Sequence, residues 1–338
     1  MKFKRPLIVS ILILIVFVWV SIFGVQGNSL AQVLQNEVYL PLVVKPAAPT
    51  VVPTPTVGPT SVVPTAIPHE GTLIIDHTSV ALYDRIPAQY LRAAEALRVT
   101  YMDRSVGQNI SDGLTCLSAP NWESSASHCR RDYIDSSLTD WKTFTLNDNN
   151  IPSAILFPGG NNRNNIEVIF GMGTWEEDLE DFINRFPGYA GSRDIITFQH
   201  NYLHVAAGST IDNYYFDQNY NGTNMYDLLA LENQYPNKTF IYWTSSLSRL
   251  IGTADAQSFN NQMRNWAAQN GKILFDVADI ESYTPENQPC RNGQGYEVIC
   301  ERYTTEVDGG HLGSVSAGKI RIAKAMWVML AQIAGWNP

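Results

Sequence analysis

The sequence predicts an α/β fold, a three-layer α/β/α sandwich built on a central parallel sheet. Three observations carry that expectation. Short apolar segments rich in β-branched residues alternate with segments of helical spacing from residue 73 onward. Strands joined in that way need crossover connections, so they pair in parallel and their helices cover both faces of the sheet. The 338 residues, 45% hydrophobic and 16% charged, describe a globular chain large enough for an enzyme-sized domain, which excludes wholesale disorder and a many-span membrane protein.

The elements follow in order. Leu73-Ile-Ile-Asp76 predicts a short first strand, and Pro87 to Arg98 a helix opened by proline with Tyr90, Leu91, Ala94 and Leu97 on one face. A second strand leads to Ser105. Ile166 to Phe170 is the next strand and ends in Gly171-Met-Gly173, after which Trp175 to Phe186 has helical spacing and an acidic first turn. Ile195 to Phe198, Thr239 to Trp243 and Lys272 to Phe275 are further strands. Between the last two, Ala256 to Asn270 is a helix with Phe259, Met263 and Trp266 on a common face. Ala317 to Ile333 is the strongest helix of the chain. Parallel sheets of this kind bind ligands at the carboxyl ends of their strands, so chemistry is sought in the residues just after each strand.

Three segments organise the chain. Lys2, Lys4 and Arg5 precede an apolar run from Pro6 to Val25, and Ser29-Leu-Ala31 offers small residues to a signal peptidase, so residues 1–31 predict an export signal. The alternative is an uncleaved amino-terminal anchor, because about twenty apolar residues suffice to cross a bilayer. No cysteine lies near this segment, which disfavours lipid anchoring. Residues 32–69 form a Pro/Thr-rich linker, with seven of the eighteen prolines between Pro46 and Pro68, and read as an extended, semi-rigid spacer. Residues 70–338 read as one domain. The first 69 residues hold four bases and one acid, leaving 19 basic against 31 acidic residues after them. A domain that acidic is repelled by phosphate backbones, so nucleic acid is excluded as an expected partner.

Outside the cytoplasm, nearby cysteines pair. The expected disulfides are Cys116–Cys129 and Cys290–Cys300, since neither pair has the spacing of a zinc knuckle. Asn109-Ile-Ser, Asn221-Gly-Thr and Asn237-Lys-Thr match the glycosylation sequon.

Four post-strand segments stand out: Asp103-Arg-Ser-Val-Gly-Gln-Asn109, Gly171-Met-Gly-Thr174, Gln199-His-Asn-Tyr202 and Asp308-Gly-Gly-His311. Taken in chain order they resemble the blocks of the SGNH (GDSL-like) hydrolase superfamily, over roughly residues 70–335. They are most similar to the branch whose serine block reads Ser-Val-Gly. The last block matches in full, whereas Asp103-Arg stands where Gly-Asp is usual and Gln199-His where the third block carries glycine.

The resemblance implies a flavodoxin-like sandwich and a Ser105–His311–Asp308 triad. A serine hydroxyl is a weak nucleophile until a base accepts its proton and a carboxylate orients that base. Oxyanion donors implied in the same way are the amide of Ser105, the amide of Gly171 or Gly173, and the side chain of Asn201. The expected activity is an exported serine esterase that cleaves carboxylic esters, carbohydrate O-acetyl groups among them, through an acyl-enzyme, as a monomer without metal or organic cofactor. Its partners are then small-molecule or polysaccharide esters, and a membrane only through the amino-terminal segment. The alternative is a catalytically silent domain of the same fold that binds glycan at the cell surface.

His200, Tyr202 and Trp243 are the expected substrate-binding residues, with Tyr242 and the cluster Tyr214 to Phe216 as further aromatic candidates for sugar stacking. His200 and His204 lie four apart, but no carboxylate of suitable spacing completes a metal site, so a metal-dependent hydrolase ranks last. Asp217 to Gly222 is oxygen-rich like a calcium loop yet lacks the EF-hand spacing.

Overall fold

A computed structural model of the chain describes residues 71–103, 106–118, 123–130, 166–171, 173–249, 252–304, 306, 309–312 and 317–338. The export segment 1–31, the linker 32–69, Ser105 and Asp308 lie outside the described residues.

Six strands form one sheet: β1 (Leu73–Ile75), β2 (Val99–Asp103), β3 (Ile166–Phe170), β4 (Ile195–Phe198), β5 (Thr239–Trp243) and β6 (Ile273–Phe275). Their order is β1-β6-β5-β4-β2-β3, and every pairing is parallel. Leaving out β1, the other five follow the 2-1-3-4-5 order of flavodoxin-like sheets, and β1 adds one strand beside β6.

Eight α-helices connect the described parts: α1 (Ala88–Glu95), α2 (Gly107–Ser118), α3 (Trp175–Tyr189), α4 (Ile211–Tyr214), α5 (Met225–Gln234), α6 (Ala254–Gln269), α7 (Val277–Glu281) and α8 (Ala317–Ile333). Strand residues alternate between two cores because successive side chains point to opposite faces. Val99, Tyr101, Ile195, Ile241, Trp243, Ile273 and Phe275 pack with α1, α2, α7 and α8. Met102, Ile196, Phe198, Phe240, Tyr242 and Leu274 pack with α3, α5 and α6. The expected three-layer sandwich is therefore the observed one.

Helix α8 is buried along nearly its whole length, which is why its apolar residues show no single stripe. Its close neighbour is α2, where a Cβ at Gly113 would lie 2.0 Å from the Lys319 carbonyl oxygen. Only glycine lets the two backbones approach so far. Lys319 is neutralised there, donating to Asp112 Oδ2 at 2.7 Å. On the other face, α3 begins with a capping box in which Thr174 and Glu177 exchange hydrogen bonds, and α5 begins with the same device between Asn224 and Asp227.

Both expected disulfides are formed, Cys116–Cys129 joining α2 to the turn Ser127–Arg130 and Cys290–Cys300 closing the loop after α7. They fit an oxidising compartment. No helix of the described residues is long and apolar enough to cross a membrane.

Candidate active site

The strand order reverses at β2, which lies between β3 and β4. A sheet of this kind opens a crevice at such a point, beyond the carboxyl ends of the strands. In sequence, Ser105 falls in the connection from β2 to α2, Gly171 directly after β3, and Gln199 to Tyr202 directly after β4. The expected blocks thus converge on one stretch of the sheet rim.

His311 is held there by a carboxylate. Its Nδ1 lies 3.1 Å from both oxygens of Glu306, and its backbone N–H donates to Glu306 Oε2 at 3.0 Å. A carboxylate on Nδ1 keeps the proton of a neutral imidazole on that nitrogen and leaves the lone pair on Nε2, the arrangement a general base requires. The resemblance assigned this orienting role to Asp308. Among the described residues the carboxylate on His311 is that of Glu306.

Glycine at position 309 leaves room for the Glu306 carboxylate in the place where it meets His311. A Cβ at Gly309 would lie 2.1 Å from Glu306 Oε2. Thr304 ties the two together, its hydroxyl accepting the Glu306 N–H at 3.0 Å and donating to the His311 carbonyl at 2.7 Å. Asn109, on the first turn of α2, brackets the histidine from the other side. Its Nδ2 donates to the Gly310 carbonyl and its Oδ1 accepts the Leu312 N–H, both at 3.1 Å, and it is 4% exposed. The helix that begins just after Ser105 is thereby fastened to the residues on either side of His311.

Tyr202 forms the adjoining wall. Its ring lies 6.4 Å from that of His311, and a Cβ on Gly310 would come within 2.4 Å of its Cδ1. A mostly apolar cavity of about 140 Å³ opens beside it, lined by Tyr202, Leu203, Val205, Ser246, Leu247 and Ala256 among others. Of the three expected substrate-binding residues, Tyr202 is the one placed at this rim.

The other two are core residues. Trp243 is 1% exposed, its ring against Tyr101 and Phe275 and its Nε1 donating to Thr197. His200 is also 1% exposed, with Phe198, Tyr215 and Phe259 set edge-on around it. Neither offers a ring face to a sugar. Tyr242 and Tyr215 are buried likewise, whereas Tyr214 is exposed and stacks on Tyr220.

A buried polar chain links the second and third blocks. Asp178 accepts the Gly173 N–H at 2.6 Å on one oxygen and faces His204 Nε2 at 3.1 Å with the other. His204 Nδ1 is 3.3 Å from His200 Nδ1. One assignment satisfies both contacts: His204 donates from Nε2 to Asp178, and His200 donates from Nδ1 to His204. Burial first, and His204 second, hold His200 well below its ordinary pKa, so it is neutral. In the same pocket Asn201 accepts the Leu203 N–H at 2.9 Å through Oδ1, which fixes the side-chain amide, and Nδ2 lies 3.4 Å from His204 Nε2. The Asp178 carboxylate also fills the space over the β3 exit, where a Cβ at Gly171 would meet it at 2.6 Å.

Sequence reasoning named neither Glu306 nor Asp178, and took Asn109 for a sequon. The signals were local for two of them: Glu306 precedes the same glycine pair that precedes His311, and Asn109 sits in the serine block itself. No family model, curated protein or solved structure matches the chain.

Proposed function

We propose that the protein is an exported serine esterase of the SGNH type acting on short-chain carboxylic esters. The observation that carries the reading is His311, oriented through Nδ1 by the Glu306 carboxylate and fastened by Asn109 to the helix that follows Ser105. In this reading Ser105 Oγ attacks the ester carbonyl as its proton passes to His311 Nε2. The new C–O bond leaves a negative charge on the carbonyl oxygen. Collapse of that intermediate expels the alcohol, which takes the proton back from His311. Water then attacks the acyl-enzyme, giving its proton to His311, and as the bond to Ser105 Oγ breaks and the acid leaves, that proton returns from His311 to Ser105 Oγ.

Glu306 is the carboxylate that stabilises the imidazolium formed in each step, in the place the resemblance gave to Asp308. For the oxyanion, the Gly173 N–H is engaged by Asp178, which favours Gly171 as the glycine donor beside Asn201. The cavity of about 140 Å³ on the side of Tyr202, whose ring neighbours His311, supports a short acyl group, since it equals roughly five times the share of volume of one water molecule in the liquid. The two disulfides, with the amino-terminal segment, support a secreted or cell-surface location.

Hydrolysis of p-nitrophenyl acetate by the purified protein, beside folded Ser105→Ala and His311→Gln variants, tests the proposal. Turnover that disappears in both supports it. Equal rates in all three proteins, or none in any, reject Ser105 as nucleophile and turn attention to a silent glycan-binding domain.

A further inference from the structure

Another histidine–carboxylate pair stands at the opposite end of the same sheet rim. Strand β1 runs out into Asp76-His77 and β6 into Asp276, from which α7 starts and carries Asp279. Four strand spacings separate β1 from β2, roughly 19 Å, so this corner is not part of the His311 site. His77 Nδ1 hydrogen-bonds Asp279 Oδ1, and the same oxygen accepts the His77 backbone N–H at 2.7 Å. Its ring stacks on Tyr283 with centroids 3.9 Å apart and planes within 4°. Together these contacts fix the imidazole and leave Nε2 as its nitrogen for another partner.

Beside His77 lies a cavity of about 310 Å³, lined also by Thr78, Asp84, Asn287, Arg321 and Lys324. The two cations are three residues apart on α8 and are 3% and 2% exposed. Arg321 donates to the carbonyls of Ile280 and His77 at 3.3 and 3.4 Å. The Lys324 ammonium lies 5.3 Å from the centre of the Tyr83 ring and 3.9 Å from Asp84 Oδ2. Removing cationic groups from water is costly, and a cavity that gathers two of them beside a fixed histidine is suited to an anion. At its rim Asn287 has φ of 59°, the only non-glycine residue in the left-handed region among the described residues.

We propose that this cavity is a binding site for a small oxyanion, a phosphate or carboxylate group. Arg321 and Lys324 supply its charge, and His77 Nε2, left with its lone pair by the Asp279 contact on Nδ1, accepts the O–H of a hydrogen phosphate. Guanidinium and ammonium groups recognise both oxyanions, and parallel sheets place ligands at this end of their strands. Asp84 and Asp279 bring negative charge to the same wall, which favours a group of low charge. The site is independent of the esterase reading.

Isothermal titration of the full chain with orthophosphate, and separately with acetate, tests it. Saturable binding of orthophosphate is expected, weakened about tenfold or more by Lys324→Met and by His77→Gln, with acetate, which has no O–H for Nε2, binding more weakly. Arg185→Ala, an exposed control, leaves it unchanged. The ion that binds more tightly identifies the headgroup. His77→Gln carries the test if Lys324→Met does not fold. No saturable binding of either ion by the folded protein at about 10 mM, or affinity unchanged in the folded variants, overturns the proposal.

Discussion

Two corners of one sheet rim hold a histidine whose Nδ1 rests on a carboxylate, and they differ in almost everything around that pair. At His311 the pair is half-exposed, two glycines precede the histidine, and the fastening comes from a buried asparagine and a threonine. At His77 the pair is mostly buried, the ring is clamped on a tyrosine, and buried cations line the adjoining cavity. The first corner holds its histidine firmly from the main chain while leaving the ring open to a reacting group. The second surrounds its histidine with fixed charge and suits capture of an anion. A histidine–carboxylate pair therefore does not define a function by itself; its neighbours do.

The largest effect expected from separating the corners is on turnover. Glu306→Gln lowers kcat on p-nitrophenyl acetate by about a hundredfold or more, because the amide no longer stabilises the imidazolium, while Asp279→Asn leaves kcat unchanged. Equal losses in the two variants would break the distinction. Next comes Asn109→Ala, which leaves the Gly310 carbonyl and the Leu312 N–H without their partner and costs about 2 kcal/mol in urea unfolding. Turnover falls with it, since His311 loses its fastening; unchanged stability and turnover would show that Asn109 does not hold the loop.

A third, smaller effect concerns pH. His200 has a lowered pKa in the fold, so below about 6.5 the unfolded chain takes up a proton that the folded chain refuses, and stability falls as pH falls. In His200→Phe the loss of unfolding free energy between about pH 6.5 and 5, followed by urea unfolding, is shallower, by up to about 1.4 kcal/mol per pH unit. Parallel curves for the two proteins would assign the acid sensitivity elsewhere. Smallest is Tyr283→Leu, which removes the ring under His77 and costs about 1 kcal/mol of stability without altering ester turnover. A matching drop in turnover would couple the two corners.

Much of the fold was legible in the sequence. The third, fourth and fifth strands and the last helix start and end where their patterns predict, because continuous β-branched runs and a long apolar helix leave few alternatives. Helix α5 was not read, although Asn224 and Asp227 spell its capping box, and α7 with five residues is too short to show a period. The site was legible in part. Sequence spelling named Asp308, which lies outside the described residues, and did not name Glu306, whose carboxylate meets His311 Nδ1 from five residues away, a contact that no spacing rule states. The meeting of His77 with Asp279 across 202 positions follows from the pairing of the first and last strands, which one sequence does not display.

Asn109 carries one more consequence, for how the protein can be made. It satisfies the sequon Asn109-Ile-Ser, yet in the fold its amide is enclosed and holds the residues on either side of His311. A secretory pathway that attaches oligosaccharide to the nascent chain meets this asparagine before it is enclosed. A glycan placed there blocks the docking of the loop, so such a host yields a mixture in which the modified fraction misfolds. The exposed sequons at Asn221 and Asn237 carry no such penalty. A bacterial periplasm, or Ser111→Ala to abolish the sequon while sparing Asn109, is the route to homogeneous material.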